Sequence, residues 1–202
     1  MNIYILSDKQ VQGAINLPVF TIKYIEQNID FKSYDALIFT SKNALYSIDS
    51  YTNDWKDIPS YAIAPMTANI IKELGGNLEF TGITNHGNEF ALEIKDKIKN
   101  KKVLYIRGSK VVSNLIDTLQ CDDTIVYESV CQENSKEQTP PKGSTIIFSS
   151  PSTIKCFLES FSWDESYKAI SIGKTTAKYF PSNIKPIISD TTSLESCVAK
   201  AK

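Results

Sequence analysis

Two stretches of sequence decide the fold, Asp35-Ala-Leu-Ile-Phe-Thr-Ser41 and Ser144-Thr-Ile-Ile-Phe-Ser-Ser150. Each is an apolar, β-branched run that ends in small hydroxyl residues, a pattern typical of a buried strand that leads into a helix. A second similar pair is Ile63-Ala-Pro-Met-Thr-Ala68 and Ile172-Gly-Lys-Thr-Thr-Ala177. The two members of each pair are separated by the same offset of 109 residues. Because separate segments agree on one offset, we infer two copies of one α/β unit.

Outward from these stretches, short apolar runs alternate with amphipathic ones, which predicts βα units around a mostly parallel sheet. The predicted strands are residues 3–6, 36–40, 61–64, 103–106, 145–149 and 169–172. The predicted helices begin near Lys42, Thr67, Asn88, Ser109, Pro151, Thr175 and Ser193.

The two copies differ at their ends, and this difference predicts the chain topology. The first copy continues into the strand 103–106 and a helix that ends near Leu119, whereas the second stops after the helix from Ser193. We expect the N-terminal strand 3–6 to complete the second copy. The predicted domains are therefore 1–17 plus 132–202, and an inserted 26–123. The crossings, 18–25 and 124–131, are predicted to pair as an antiparallel ladder and to act as a hinge.

Composition and charge exclude several classes of protein. A formal charge of −1, from 22 basic and 23 acidic residues, lacks the basic footprint of a nucleic-acid-binding protein. No apolar run reaches the length that a bilayer span requires, and the N-terminus does not resemble a secretory signal. We therefore expect a cytoplasmic, monomeric protein with neither nucleic-acid nor membrane partners.

The sequence also argues against metals and nucleotide cofactors. The cysteines are widely spaced, without a Cys-x-x-Cys pair, so we expect reduced and mostly buried thiols. His86 is the single histidine, which leaves no His-based metal site. Glycine-rich nucleotide loops are absent, because Gly173-Lys174-Thr175 lacks the upstream glycine of a phosphate-binding loop. No cofactor and no metal are expected.

Candidate site residues follow the strands, since ligands of open parallel sheets bind at the carboxyl ends of the strands. Such residues are ordinarily helix caps, which satisfy free backbone donors. The alternative is that the same helix starts accept carboxylates or phosphates from a ligand. The candidates are Ser41, Lys42, Asn43, Thr67, Asn88, Arg107, Gly108, Ser109 and Lys110 in the first copy, and Ser149, Ser150, Ser152, Lys174, Thr175 and Thr176 in the second.

The order and spacing of several short motifs resemble the uroporphyrinogen-III synthase family. These motifs are Phe39-Thr40-Ser41-x-Asn43-Ala44, Thr67-Ala68, Gly87-Asn88, Arg107-Gly108, Val126-Tyr127-Glu128, Phe148-Ser149-Ser150-Pro151-Ser152 and Ile172-Gly173-x-Thr175-Thr176-Ala177. The chain departs from the family pattern at Ser7 and Asp8, where a Thr-Arg pair is usual, at Lys174 in place of a proline, and at Ala64 in place of a glycine.

The resemblance implies a fold and a reaction. The expected fold is α/β: two flavodoxin-like parallel-sheet domains joined by a two-stranded antiparallel β-ladder, with the N-terminal strand completing the C-terminal domain. The implied substrate is hydroxymethylbilane, which carries an acetate and a propionate on each of four pyrroles and binds between the domains. By the same resemblance Tyr127 is the candidate acid, and Thr67 and Thr176 line the cleft.

The implied chemistry begins with loss of hydroxide from the ring A hydroxymethyl group, which leaves an azafulvenium-type electrophile. Ring D attacks through its substituted carbon, and the resulting spiro intermediate reopens and closes with ring D inverted. Closure without the enzyme gives the uninverted isomer.

Two other classes of protein remain open on the sequence alone. The first is a non-catalytic module whose two lobes close on a small anion. The second is a flavodoxin- or receiver-like interaction protein. A receiver needs acidic residues at its strand ends, where this chain has serine and threonine, and bound flavin would colour the protein yellow.

Overall fold

In a computed structural model, the chain divides into two compact units, each with its own sheet and core. The structure describes residues 2–7, 9–84, 86–111, 113–133 and 136–202. The split unit comprises residues 1–21 and 130–202, and the inserted unit comprises residues 22–129. The chain therefore passes from one unit to the other twice.

The described residues form eleven strands and seven α-helices. The strands are β1 Ile3–Ile5, β2 Ile15–Asn16, β3 Phe20–Tyr24, β4 Ala36–Phe39, β5 Ser60–Ala62, β6 Leu78–Thr81, β7 Val103–Gly108, β8 Asp122–Cys131, β9 Thr145–Phe148, β10 Lys168–Ser171 and β11 Ile187–Ile188. The helices are α1 Lys42–Asp49, α2 Pro65–Glu73, α3 Gly87–Ile94, α4 Leu115–Leu119, α5 Pro151–Ser160, α6 Lys174–Ala177 and α7 Leu194–Ala201. Within the described ranges, every helix is too short or too polar to cross a bilayer.

The inserted unit contains a sheet in the order β3-β8-β7-β4-β5-β6, in which the strands from β8 to β6 run parallel. All four residues of β4 are buried, and they alternate between two cores because successive side chains of a strand point to opposite faces. Leu37 and Phe39 pack with α1 and α2, and Ala36 and Ile38 pack with α3 and α4. Helices on both faces explain the continuous apolar run.

The split unit contains a parallel sheet in the order β11-β10-β9-β1-β2. The N-terminal strand lies in this sheet, where Ile3 of β1 pairs with Thr145 of β9. Phe148 and Ile146 pack with α5 on one face, and Ile147 packs with α7 on the other. Residues 130–202 and the start of the chain thus share the core on each face of this sheet.

The offset of 109 residues returns in the element boundaries of the two units. Four pairs of elements begin that far apart: β4 and β9, α1 and α5, α2 and α6, and β6 and β11. β9 lies between β10 and β1, and β4 lies between β5 and β7. The strands β1 and β7 are therefore counterparts. The same layout is therefore built from one continuous segment in the inserted unit and from two segments in the split unit.

Several predicted boundaries were wrong. The helix expected from Ser109 begins instead at Leu115, because the preceding chain first continues the strand ladder: the Ser109 N–H donates to the Tyr127 carbonyl at 2.9 Å. The helices expected near Thr67, Asn88 and Thr175 begin one or two residues earlier. The short strands β2, β6 and β11 were not predicted, since each has too few apolar residues to give a pattern.

The expectation of four reduced thiols is corrected by a disulfide between Cys131 and Cys156, which joins the end of β8 to α5 within the split unit. Cys121 and Cys197 are free. Within the described part of the chain, the one cluster with metal-ligating side chains is these two cysteines with Glu159. Its sulfur atoms are bonded to each other. The bond was missed because sequence spacing alone does not reveal which cysteines meet.

Candidate functional site

The carboxyl ends of the parallel strands bring most of the candidate residues to one edge of each sheet. In the inserted unit, β7, β4 and β5 are neighbours, so Arg107 near the end of β7 shares that edge with the residues that follow β4 and β5, which include Ser41 and Thr67. In the split unit, β9 and β10 are neighbours, which places Ser149 and Lys174 at one edge. Each unit therefore has its own candidate surface.

Two of the predicted serines are helix caps. The Ser41 hydroxyl accepts a hydrogen bond from the Asn43 N–H at 3.2 Å, and it begins α1. The Ser150 hydroxyl accepts from the Thr153 N–H at 3.4 Å, and the Thr153 hydroxyl in turn accepts from the Ser150 N–H at 3.2 Å. This reciprocal pair is a capping box. Both serine oxygens are thus engaged with their own helices, as the capping interpretation predicts.

The helices α2 and α6 begin without a side-chain cap. Pro65 at the first position of α2 has no N–H, so the donors at this end belong to Met66 and Thr67. Thr67 and Thr176 are the third residues of α2 and α6, and each is only 5% exposed. Thr175 and Lys174 are exposed beside Thr176. The start of α2 therefore offers backbone donors that no side chain caps among the residues described by the structure.

Asn88 is not the cap that the sequence indicated. The cap position of α3 is held by His86, without a side-chain hydrogen bond, and Asn88 lies one residue inside the helix. Its side-chain oxygen accepts from the Asn114 N–H at 2.8 Å. Asn88 therefore connects α3 to the start of α4.

The cations of the candidate set fall into two groups. The Arg107 guanidinium contacts Asp123 Oδ2 with both Nε and Nη2 at 2.6 Å, and its Nη1 donates to the Gly108 carbonyl at 3.0 Å. In contrast, the three lysines are exposed and have no ion-pair partner among the described residues. They are Lys42, Lys110 and Lys174. Within the described ranges, Arg107 is thus engaged by Asp123 and Gly108, whereas no ion pair engages the three lysines.

Tyr127 is half-buried on β8, and its ring lies directly against Gly108 of β7. A Cβ atom added to Gly108 would come within 2.5 Å of the Tyr127 Cζ and 2.9 Å of its hydroxyl oxygen. Among the residues that the structure describes, the Tyr127 hydroxyl has no hydrogen-bond partner. Its proton can therefore be donated to a ligand.

A second phenol, which the sequence did not single out, lies in the same unit. The Tyr105 hydroxyl is 2.6 Å from the Thr40 hydroxyl at the end of β4. Burial raises the pKa of Tyr105 above its ordinary value, although the Thr40 hydrogen bond acts in the opposite direction. Tyr105 therefore stays protonated at neutral pH. The signal in the sequence is weak, because an aromatic residue within a strand is ordinarily core packing.

Comparison with known proteins identifies the family. The family model described as uroporphyrinogen-III synthase HemD matches residues 9–199. The chain belongs to the uroporphyrinogen-III synthase family. A crystal structure of uroporphyrinogen-III synthetase from Helicobacter pylori 26695 is similar, with 29% sequence identity and a TM-score of 0.84 over 99% of this chain and 97% of that chain.

A more distant similarity supports the fold. A mutant uroporphyrinogen III synthase from the extremely thermophilic bacterium Thermus thermophilus has 10% identity and a TM-score of 0.54, over 98% of this chain and 96% of that chain. No curated protein sequence matches the chain. Uroporphyrinogen-III synthases are enzymes of tetrapyrrole biosynthesis, so the predicted enzyme class is confirmed. The prediction of an α/β fold with parallel sheets is confirmed as well.

Proposed function

We propose that the chain converts hydroxymethylbilane into uroporphyrinogen III, with inversion of ring D and loss of water. The observation that carries the proposal is the family match, which extends over residues 9–199. The proposed enzyme acts as a cytoplasmic monomer and without a cofactor.

The proposed domain organisation follows the predicted one, with β3 and β8 as the two-stranded ladder between the domains. Both chain passages between the units fall within these strands. The two strands are neighbours in one sheet. The flanking bonds from Ile25 to Val126 and from Gln132 to Val19 fit an antiparallel pair, because the partner number rises as the other falls. The proposed domains are 1–17 plus 132–202, and 26–123.

The proposed substrate is a flexible polyanion, so its binding needs distributed positive charge. Lys42, Lys110 and Lys174 supply exposed ammonium groups, and the start of α2 supplies backbone donors in a positive helix end. An exposed ion pair contributes only about 0.2–1 kcal/mol, so no single lysine is expected to be indispensable. We further propose that Thr67 and Thr176 line the site.

The proposed acid is the Tyr127 phenol. As the C–O bond of the ring A hydroxymethyl group breaks, the leaving oxygen takes the phenol proton and departs as water, and the cation remains on the pyrrole. Ring D attacks that carbon through its substituted position. The spiro intermediate reopens, ring D turns over, and final closure releases a proton that restores the phenol. A phenol is a modest acid, so assistance and not an absolute requirement is expected.

The larger part of the rate and of the isomer choice comes from positioning in this proposal. The substrate must be held so that the substituted carbon of ring D meets the electrophile before the macrocycle closes. Well-oriented intramolecular reactions gain up to about 7–11 kcal/mol from such positioning. This explains how a site with few catalytic groups suffices.

The test is a coupled assay. Hydroxymethylbilane is generated in situ, the protein is added, and the products are oxidised and separated as uroporphyrin isomers. Isomer III in proportion to added protein is expected, and isomer I is expected with heat-denatured protein. If native protein gives only isomer I, the chain is not a synthase. Saturable substrate binding in that case would favour the non-catalytic anion-binding module.

A further inference from the structure

The contact between β7 and β8 contains an irregularity that sets the direction of Tyr127. Arg107 pairs with Ile125, but the next residue of β7, Gly108, pairs with Tyr127, so Val126 is an additional residue of β8. In a regular strand two successive side chains point to opposite faces. Here Val126 and Tyr127 both pack against the core cluster that includes Phe39. The bulge therefore turns Tyr127 onto the face of α1 and α2.

The bulge is anchored from three sides. The Val126 side chain is fully buried. Its carbonyl oxygen accepts hydrogen bonds from the buried Ser47 hydroxyl at 2.5 Å and from the Ile25 N–H at 2.8 Å. Because these partners come from α1 and from the residue after β3, the position of the bulge is fixed by tertiary structure.

Gly108 leaves the space that the reoriented ring occupies. A side chain at this position would overlap the Tyr127 Cζ, Cε2 and hydroxyl oxygen at 2.5, 2.7 and 2.9 Å, all shorter than a normal contact. The glycine is needed for space and not for its backbone conformation, since its φ lies outside the left-handed region. Any larger residue would have to displace the phenol.

Arg107 and Asp123 hold the same two strands together beside the bulge. The guanidinium on β7 contacts the Asp123 carboxylate on β8 through two nitrogens at 2.6 Å, and a third nitrogen donates to the Gly108 carbonyl. The side chains of Arg107 and Asp123 are only 16% and 29% exposed. Both nitrogens reach the same oxygen, Oδ2, and charge-assisted bonds of this kind are stronger than bonds between neutral groups.

We propose that Gly108 and the Arg107–Asp123 pair are positioning residues for the Tyr127 phenol, and that Arg107 does not bind a substrate carboxylate. The inference rests on the proposed function, in which Tyr127 donates the proton. It reassigns two residues that the sequence placed among the substrate-binding groups. In this proposal, the pairing register of β7 and β8 determines the direction in which the Tyr127 phenol points.

The first experiment compares Gly108→Ala, Tyr127→Phe and the double variant in steady-state kinetics. Gly108→Ala is expected to lower kcat by about 10²-fold with little change in KM, since a displacement of about 1 Å has that effect on a catalytic group. The double variant is expected to match Tyr127→Phe alone. Gly76→Ala, which crowds Trp55 and Ile71 in the same unit but follows the end of α2, away from the carboxyl ends of the strands, is the control. If kcat of the double variant instead falls by the product of the two single factors, the inference is overturned.

A second readout separates this inference from the proposed function. The protein is labelled with 3-fluorotyrosine, and the Tyr127 resonance is assigned by its loss in Tyr127→Phe. Gly108→Ala is expected to shift that ¹⁹F resonance. A shifted resonance with unchanged kcat would support the positioning role and remove Tyr127 from the chemistry. An unshifted resonance would overturn the positioning role whatever the activity.

The third experiment decides the role of Arg107 even if Gly108→Ala does not fold. Asp123→Asn and Arg107→Gln are expected to lower kcat by similar factors, to leave KM nearly unchanged, and to show no further loss when combined. Arg107→Lys is expected to restore part of kcat, because it keeps the ion pair. If Arg107 binds substrate instead, Arg107→Gln raises KM and Asp123→Asn does not lower kcat, which would overturn the assignment.

Discussion

The inserted unit and the split unit share one layout, yet they differ at the strand next to β4 and β9. In the inserted unit this strand is β7, which ends at Gly108 and pairs with the ten-residue β8. In the split unit it is β1, whose outer neighbour β2 has two residues. The two units therefore keep the same layout, and in the described part of the chain the bulge at Val126 and the Tyr127 phenol are features of the inserted unit.

The first positions of the helices differ in a complementary way. α1 begins with Lys42 where α5 begins with Pro151, and α2 begins with Pro65 where α6 begins with Lys174. Each unit thus has one lysine and one proline at these two positions, in opposite order. The proposed substrate-binding charge is therefore divided between the two copies, whereas the proposed acid lies in one of them.

The largest effect is expected for Tyr127→Phe, which removes the candidate acid and keeps the ring that packs on Gly108. We expect kcat to fall by about 10²-fold or more, in the range of general acid catalysis, with folding intact. Tyr179→Phe is the control in the split unit, since Tyr179 is 61% exposed. If Tyr127→Phe keeps the wild-type kcat, Tyr127 is not the acid, and the proposed catalytic difference between the two units is contradicted.

The sequence was informative about the fold because the duplication is local and repeated. An offset read from Phe39 and Phe148 also places the starts of α2 and α6, and the absence of a last strand in the second copy indicates β1. Buried parallel strands give continuous apolar runs, which are easily recognised. The helix predicted at Ser109 was wrong. A serine after a strand is typical of a helix cap, but the Ser109 N–H instead bonds the Tyr127 carbonyl and continues the strand ladder.

The site was less predictable, because its decisive features depend on register. Ser41 and Ser150 could be identified as caps, since a cap and its helix are adjacent in sequence. The Arg107–Asp123 contact and the additional residue Val126 depend on which residue of β8 faces which residue of β7. A shift of one residue would reverse every side chain, and the sequence alone does not fix that choice.

The second largest effect is expected for the disulfide, which lies in the split unit and contributes to its stability. Cys156→Ser removes the disulfide, which closes a loop with a sequence separation of 25 residues, and should lower the free energy of unfolding by about 3 kcal/mol. Denaturant unfolding measures it, with Cys121→Ser in the inserted unit as the control. Thiol titration of unfolded, unreduced protein should give two thiols, those of Cys121 and Cys197. Four thiols would show that the bond does not form.

A smaller effect is expected for the lysines, and it tests whether both units supply positive charge that binds the substrate. Lys42→Glu and Lys174→Glu are each expected to raise KM by about fivefold and to multiply when combined, because each replaces one weak attraction with a repulsion. Lys72→Glu, in the last turn of α2 and thus away from the helix starts, is the matched control. A KM that responds to only one of the two lysines would confine substrate binding to that unit.

The smallest effect concerns the two caps. Ser150→Ala and Ser41→Ala each lose one side-chain cap bond, and each should lower the free energy of unfolding by about 0.5–1 kcal/mol. The physical reason is that alanine leaves one helix donor without a partner, whereas the bond from the residue 150 N–H to the Thr153 hydroxyl uses the backbone and remains. Urea unfolding of both variants measures the loss, and KM measured alongside separates capping from substrate contact. If KM rises while the free energy of unfolding stays constant, the serine hydroxyls contact substrate, and the capping bonds are incidental to their role.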